Sequence, residues 1–485
     1  IIIALLTCLT MSSCEKWFDV SPKSDVKSDD LFKDENGFWD VLTGVYSIMV
    51  TPSAYGRELS FGYLDVMAQY SNMLHTEESS VIATFGKKYE AMKMADYYKT
   101  KGYDYTDTQE ETRLKSIWKG HYKAIVNLNV LLEYADKNKN VFASEQHYRV
   151  VKGEAFGLRA FLHFDLLRLF GPSPADGLEQ QAIPYADTYT NVAQAALPLG
   201  SFVNRVTQDL DSARIMLANS DWFGPAYQQL YEKRDSTQKE RHSRMNYFTV
   251  AALQARAYNY IGDKENTLKA VHEIINENTK EPMAPLSLTT SASENDRLFK
   301  DEILFRLNIE KLEDDISSYF GENAIAYGVS SSATALCFTA TKVSNLYQAV
   351  SAGDDDYRLK LWFQPTDVSS SWMPAKYKNA KYIPIVRLSE VYLIAAECAS
   401  GNNGLAYLNK IRAHRGLVAL ENVTDLNAEI TKEYQKEFIA EGQMFFYYKR
   451  MNLGRIGVFS NVNLTDKNKV YQLPVPTDEL DYGNM

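Results

Sequence analysis

The sequence KGEAFGLRAFLHFDLLRLFG, residues 152–171, carries the clearest fold signal in the chain. Its apolar residues recur at steps of three and four, as in Leu158, Leu162 and Leu166, which places them on one face of a helix. The glycine and proline that follow Phe170 end the helix. Small side chains between the leucines would let a second helix approach closely: Gly153, Ala155, Gly157 and Ala160.

The same helical periodicity occurs in three separate parts of the chain. It predicts helix pairs near 110–170, 245–275 and 385–451, the last including one helix from about Ile430 to Met451. Pairs of this length with small residues at the crossing are typical of tetratricopeptide repeats. Because these pairs are degenerate and far apart, the sequence predicts an all-α fold with a tetratricopeptide-like helix-pair scaffold and long irregular insertions.

Three loop-rich insertions separate the predicted pairs, at 51–105, 171–244 and 276–384. Irregular segments of that length in a compact domain are usually functional or disordered. We therefore expect the insertions to form the ligand face of one domain that spans 34–485.

The N-terminal residues predict export and a lipid anchor. An apolar run over 1–9 is followed by Ser12, Ser13 and Cys14. Such a run is typical of a secretory signal and is too short to span a bilayer as a helix. We expect 1–13 to be a signal peptide truncated at its start, and 14–33 to hold a lipidated Cys14 and a polar tether.

The composition argues against a nucleic-acid partner and is compatible with a tyrosine-rich binding face. The formal net charge is −10, whereas nucleic-acid binding needs clustered Lys and Arg. The 32 tyrosines combine an apolar ring with a polar hydroxyl, which suits a wet binding face, although most such rings belong to the core of a protein.

The motifs that mark common enzyme classes are absent from the sequence. It contains no HExxH zinc motif, no Gly-rich phosphate loop and no G-x-S-x-G nucleophile elbow. Glu437 and Glu441 are four residues apart on a predicted helix, and paired carboxylates can hydrolyse glycosides. The acidic clusters at 313–315 and 354–356 lack the spacing of a calcium loop. We expect a protein that is not an enzyme and that has no cofactor and no metal site.

Several segments at wide intervals resemble the SusD/RagB family of nutrient-binding outer-membrane lipoproteins, in the same order. The strongest is Lys152–Gly171, and Ile385–Glu397 is nearly as specific, while Asp355–Arg358 resembles the family's Asp-x-Arg element. Tyr434 and Gln443 depart from the family, in which Arg is common at these places. The matching segments are Cys14–Pro22, Asp30–Phe32, Leu42–Tyr46, Lys152–Gly171, Asp355–Arg358, Ile385–Glu397, Leu408–Arg412, Glu437–Gly442 and Leu473–Pro476.

The resemblance implies a function as well as a fold. It implies a lipoprotein on the outer face of a Gram-negative outer membrane that binds a glycan or another nutrient. It also implies a SusC-like TonB-dependent transporter as the partner, and a scaffold role for acids such as Glu437 and Glu441.

Aromatic residues outside the scaffold, together with Asn72, are the candidates for ligand binding. Sugars present C–H faces that stack on aromatic rings, and the resemblance implies that such rings lie on the loops. The candidates are Tyr70, Asn72, Tyr97, Tyr98, Trp222 and Trp372. Two alternatives stay open, a peptide-binding protein and a pure protein-docking module of the same fold. Exposed aromatics clustered on one face would favour a glycan, whereas an acidic or mixed groove would favour a peptide.

Overall fold

The computed structural model describes most of the chain from residue 28 onward. The predicted signal peptide, Cys14 and most of the predicted tether lie outside the described residues. The described ranges are 28–70, 72–73, 97–190, 192–236, 239–320, 336–348, 355–365, 371–457 and 462–482.

Helices make up most of the described structure. The first nine are α1 Glu35–Met49, α2 Tyr63–Met67, α3 Tyr98–Lys101, α4 Thr108–Lys137, α5 Glu145–Phe170, α6 Leu199–Leu217, α7 Tyr227–Leu230, α8 Tyr247–Tyr260 and α9 Lys264–His272. They are followed by α10 Leu312–Phe320, α11 Ala340–Tyr347, α12 Tyr357–Trp362, α13 Leu388–Cys398, α14 Asn402–Ala413, α15 Leu426–Glu437, α16 Gln443–Arg450, α17 Lys467–Tyr471 and α18 Thr477–Tyr482. Among these described helices, none has the length and apolar character that a membrane span requires.

The strands are short and form four small antiparallel sheets among the described residues. One sheet has four strands in the order β1-β5-β7-β6, and the others pair β2 with β3, β4 with β8, and β9 with β10. The strands are β1 Asn72–Met73, β2 Gln181–Pro184, β3 Ala196–Pro198, β4 Ile303–Asn308, β5 Leu336–Thr339, β6 Phe363–Pro365, β7 Ser371–Pro374, β8 Tyr382–Arg387, β9 Arg455–Ile456 and β10 Val462–Asn463.

Packed helices form the scaffold, which confirms the predicted all-α class. Helix α5 lies against α4 and α6, and the scaffold continues through α8, α9, α13, α14 and α15. A Cβ on Gly153 of α5 would lie 2.6 Å from Leu217 Cγ of α6, so the small residue is what lets these helices approach. The tetratricopeptide-like character of the pairs stays a prediction.

Polar side chains at the helix starts explain where the scaffold helices begin. Each accepts a hydrogen bond from a backbone N–H of the first turn, which would otherwise lack a partner. The capping residues of the scaffold helices are Asp34, Asp107, Ser144, Asn246, Asp263 and Asp425.

The stretch 171–244 is more ordered than its composition predicts. The 19-residue helix α6 lies within it and buries Phe202, Val206, Leu210 and Leu217 against the scaffold. The expectation of an irregular insertion there was wrong for this part, because the Pro, Asp and Gln residues on either side obscure the helical spacing.

The predicted helix from Ile430 to Met451 is two helices. Helix α15 ends at Glu437 and α16 starts at Gln443, and Gly442 between them has φ +71°, a left-handed conformation. The buried carboxylate of Asp65 accepts hydrogen bonds from Ala440 N at 2.6 Å and Gly442 N at 2.9 Å. A distant side chain therefore stabilises this turn, which the local periodicity could not reveal.

Candidate ligand-binding site

The paired acids Glu437 and Glu441 belong to a buried ion network rather than to an open cleft. Glu437 accepts hydrogen bonds from Arg358 Nη1 at 2.9 Å, Arg387 Nη1 at 2.5 Å and Arg415 Nη2 at 2.7 Å. All these side chains are almost fully buried. We call this group the ion network. It comprises Glu302, Asp356, Arg358, Lys376, Arg387, Arg412, Arg415, Glu433, Lys436, Glu437 and Glu441.

The electrostatics of Glu437 do not suit a general acid of a glycosidase. Burial alone raises the pKa of Glu437, but the guanidinium groups of Arg415, Arg387 and Arg358 outweigh it and hold the pKa well below its ordinary value. A general acid needs a raised pKa so that it carries its proton near neutral pH. The pair therefore has the properties of a structural centre that joins α12, β8, α14 and α15.

The acidic clusters also have structural explanations where the structure describes them. Asp356 is buried and pairs with Arg358 at 2.7 Å, and Asp355 pairs with Lys360 at the surface. Glu313 and Asp315 lie in the first turn of α10, where the helix dipole interacts favourably with negative side chains. Within the described ranges, no group of His, Cys, Asp or Glu is arranged to hold a metal ion.

The four-stranded sheet brings two of the predicted site segments together. Asn72 in β1 pairs with Cys337 in β5, and Phe338 of β5 pairs with Trp372 in β7. Two segments about 300 residues apart in sequence are therefore separated by one strand. We call the sheet β1-β5-β7-β6 the aromatic sheet.

Trp372 is the half-buried aromatic side chain of this sheet. Its ring centroid lies 6.4 Å from that of Phe363, which in turn is 5.6 Å from both Phe338 and Tyr347. Phe338, Phe363 and Tyr347 are buried, whereas part of Trp372 remains accessible. The inner rings thus support Trp372 and hold it in place, which lowers the entropy cost of stacking on a ligand.

The adjacent tyrosines Tyr97 and Tyr98 differ in exposure. Tyr97 is fully buried, its hydroxyl donates to Glu58 Oε2 at 3.0 Å, and Arg113 lies over its ring. Tyr98 begins the short helix α3 and is 38% exposed. Of this pair, Tyr98 is the ring that the structure presents at the surface.

Two further candidates lie in the interior of the described structure. Tyr70 is fully buried and its hydroxyl donates to the carbonyl of Gln435 at 2.6 Å. Trp222 is 5% exposed and packs against Phe223 and Tyr231, in the stretch between α6 and α8. These two rings would have to move before they could stack on a ligand, so their predicted contact with ligand stays a prediction that the geometry does not favour.

One residue near the candidate site was missed by the sequence reading. Tyr319 of α10 packs against the ring of Tyr97 with 5.9 Å between centroids, and its hydroxyl accepts a hydrogen bond from Arg57 at 2.9 Å. Helix α10 also contacts β5 of the aromatic sheet. Tyr319 thereby links the Tyr97–Tyr98 segment to the sheet. Its signal was present in the sequence as an aromatic residue within the insertion 276–384.

Two family models match separate parts of the chain. Residues 16–223 match a SusD-like model described as "Starch-binding associating with outer membrane". Residues 356–481 match the SusD/RagB model, described as "SusD family". The second match includes every ion-network residue except Glu302.

Similar proteins share both the length and the fold of this chain. A SusD-like protein of Formosa agariphila is 20% identical over 480 residues, covering 85% of this chain and 81% of its own. A SusD superfamily protein of Bacteroides thetaiotaomicron has a TM-score of 0.66 at 19% identity, over 93% of this chain and 98% of its own. A structure described as a laminarin binding SusD-like protein has a TM-score of 0.62 at 16% identity, over 93% and 98%. Together the two SusD models match more than half of the chain, and we conclude that this chain belongs to the SusD family.

Proposed function

We propose that this protein binds an oligosaccharide at the cell surface and delivers it to a TonB-dependent outer-membrane transporter. The observation that carries the proposal is the half-buried Trp372, supported by the buried rings of the aromatic sheet. A rigid aromatic ring at the surface of an insertion is the side chain that a sugar face needs. The family description as starch-binding and the laminarin-binding relative support the same ligand class.

A binding screen tests the ligand class. Purified protein is titrated by calorimetry with α-glucan oligosaccharides, laminarin oligosaccharides and a set of unrelated peptides. The proposal expects heat of binding with at least one glycan and none with the peptides. Binding to peptides alone would favour the peptide alternative, and silence with both classes would favour a docking module.

The exposed Tyr98 has a matched control on the same chain. Tyr98 is 38% exposed and adjoins Tyr97, whose ring packs against Tyr319, and Tyr189 is 43% exposed on the segment that follows β2. Replacing Tyr98 with Ala is expected to weaken glycan binding, whereas Tyr189→Ala is expected to leave it unchanged. Equal effects of the two substitutions would remove Tyr98 from the site.

We propose binding without hydrolysis. The paired acids of the sequence are committed to the ion network, and the low pKa of Glu437 keeps its carboxylate ionised. Incubation of the protein with a glycan that it binds should release no new reducing ends. Turnover that survives further purification and persists in Glu437→Gln would require a different catalytic site.

The lipid anchor at Cys14 is a separate part of the proposal. The apolar run and the small residues before Cys14 support it. One acyl chain contributes about 0.8 kcal/mol per buried CH₂, so stable attachment needs more than one chain. Cys14→Ala should move the protein from the membrane fraction to the soluble fraction. Retention of the variant in the membrane fraction would rule out this anchor.

The transporter partnership can be tested in native membranes. An affinity-tagged protein, solubilised in mild detergent, should co-purify in a fixed ratio with a TonB-dependent transporter identified by mass spectrometry. Cells that lack that transporter should retain surface binding of the glycan and lose its uptake. Normal uptake in such cells would contradict delivery while leaving glycan binding intact.

A further inference from the structure

His147 of α5 lies between two carboxylates that come from different parts of the chain. Its Nδ1 is 2.6 Å from Glu35 Oε1, at the start of α1, and its Nε2 is 2.7 Å from Asp235 Oδ2, between α7 and α8. The side chains of His147 and Glu35 are mostly buried, whereas that of Asp235 is about half exposed. We call these three residues the His147 bridge, because they tie two peripheral segments to the scaffold.

Donor and acceptor requirements fix the protonation state of His147. A neutral imidazole has one N–H donor and one bare nitrogen, which can only accept a hydrogen bond. An ionised carboxylate has no proton to donate, so a bare nitrogen opposite it would leave two acceptors in contact. Because both ring nitrogens of His147 lie within 2.7 Å of a carboxylate oxygen, each needs a proton, and the ring is an imidazolium.

Donors other than His147 hold Glu35 as a carboxylate. Its Oε1 accepts a hydrogen bond from Trp39 Nε1 at 2.8 Å, and its Oε2 accepts one from Ala143 N at 2.6 Å. Burial alone raises the pKa of this carboxyl, but the hydrogen bonds from Ala143, Trp39 and His147 outweigh burial and lower the pKa. Glu35 therefore offers the imidazole an acceptor rather than a donor.

The charges that face the ring also favour the imidazolium. Burial alone lowers the pKa of His147, but hydrogen bonds and charges from Glu35 and Asp235 outweigh burial and raise the pKa above its ordinary value of 6.5. The ring of Trp39 lies edge-on to the imidazole, with 6.3 Å between centroids, and carries no charge.

Other charged side chains nearby are directed away from the imidazole. On α5, Glu145 pairs with Lys139 at 2.8 Å, and Arg149 donates to a backbone carbonyl of α6. Beside Asp235, the guanidinium of Arg234 lies over an aromatic ring, 3.6 Å from its centroid. The proton on the imidazole is therefore stabilised by the two carboxylates of the bridge.

We propose that the His147 bridge is a pH-sensitive contact, which holds the stretch 231–236 on α5 while the imidazole is protonated and releases Asp235 under alkaline conditions. Loss of one proton leaves a bare nitrogen opposite a carboxylate, so one of the two contacts has to break. The contact with Asp235 breaks, because water can solvate its exposed carboxylate, whereas Glu35 is mostly buried and needs its donors. This inference does not depend on the proposed glycan binding.

Histidine NMR tests the protonation of the bridge on the full chain. Protein labelled with ¹³C and ¹⁵N in its seven histidines is titrated, and the His147 signal is identified by its loss in His147→Gln. His147 should titrate above pH 6.5, with both ring nitrogens protonated below its midpoint. His242 is the internal control, because burial lowers its pKa below 6.5. A His147 midpoint at or below 6.5 would overturn the proposal.

A substitution at Asp235 tests the contact that is expected to break. Asp235→Asn keeps the size of the side chain and removes its charge, so the midpoint of His147 should fall. Glu232→Gln removes an exposed charge from the same stretch and should leave the midpoint unchanged. The same midpoint in the wild-type protein and in Asp235→Asn would show that Asp235 does not hold the proton.

Melting temperatures of the wild-type protein and His147→Gln, from about pH 5 to about pH 9, test the coupling to stability. Because the pKa of His147 is raised in the folded state, its stabilisation is fully present below pH 6.5 and is lost as the pH rises through the folded pKa. The wild-type protein should therefore melt higher in mild acid, and its advantage should shrink in alkali. The other histidines are common to both proteins and cancel in the difference. A difference that does not change with pH would contradict the proposal, and the Asp235→Asn titration decides the question if His147→Gln fails to fold.

Discussion

The ion network and the aromatic sheet use opposite kinds of interaction for opposite purposes. In the network, the single carboxylate of Glu437 accepts hydrogen bonds from Arg358, Arg387 and Arg415, and all four side chains are buried. In the sheet, the buried rings of Phe338 and Phe363 support Trp372, which remains partly accessible. The charges of the ion network are paired within the protein, whereas the aromatic sheet presents one partly accessible ring to solvent.

Because of this difference, we expect amino-acid substitutions in the two regions to have different effects. A buried charge that loses its partner costs far more than the pair contributes, because the remaining charge has no solvent. A surface ring that loses its ligand costs the protein almost nothing. Substitutions in the network should therefore alter folding, and substitutions on the sheet should alter binding.

The largest effect is expected at the centre of the ion network. Glu437→Gln removes the charge that neutralises three buried arginines, so we expect a loss of about 3–5 kcal/mol in the free energy of unfolding. The matched control is Glu429→Gln on the same helix. Glu429 Oε1 lies 2.6 Å from Nζ of Lys432, whose side chain is 45% exposed. That change should cost less than about 0.5 kcal/mol. Chemical denaturation measures both, and similar losses would contradict the central role of Glu437.

The turn between α15 and α16 should be the next most sensitive position. Gly442 and Gly262 have similar positive φ angles, 71° and 78°. A Cβ on Gly442 would lie 2.8 Å from the carbonyl oxygen of Leu59, whereas a Cβ on Gly262 has no atom within 4 Å. Gly262→Ala should cost about 1–2 kcal/mol from the left-handed backbone alone. Gly442→Ala should cost clearly more, and equal melting temperatures for the two variants would contradict the packing argument.

Acid should weaken the network before it affects the sheet. Burial raises the pKa of Glu433, but Arg358, Lys436 and Arg412 outweigh it and lower the pKa to about 2. A carboxyl whose pKa is lowered in the folded state stabilises the protein at pH values above the ordinary pKa of that carboxyl, 4.5. This stability is lost as the pH falls from there toward about 2.

Thermal melts across this pH range measure the effect. The wild-type protein should lose stability steeply below pH 4.5, whereas Glu433→Gln should start lower and fall less steeply. Parallel curves for the two proteins would show that Glu433 does not contribute to the acid sensitivity.

The sequence predicted the scaffold better than the site, for physical reasons. The spacing of Leu158 and Leu162 reports the buried face of α5 directly, since helical packing is periodic. The break before Gln443 was missed because Asp65, far away in sequence, holds the turn. The helix α6 was missed because polar residues surround it.

The site residues depend on contacts that no local pattern encodes. Tyr97 and Tyr98 are neighbours, yet Tyr97 is buried with its hydroxyl on Glu58, whereas Tyr98 is exposed. Asn72 and Trp372 become near neighbours only when β5 lies between their strands. The sequence identified the aromatic segments, but long-range pairing decides which rings reach the surface.

The central claim is that Trp372 binds a sugar while the scaffold only holds it in place. The most direct measurement is the dissociation constant for the best glycan of the screen, in Trp372→Ala and Trp372→Phe, each with its melting temperature. Trp372→Ala should weaken binding by about 1 kcal/mol or more, roughly fivefold, while Trp372→Phe should retain most of the affinity, and both variants should stay folded. Unchanged affinity in folded Trp372→Ala would contradict the claim.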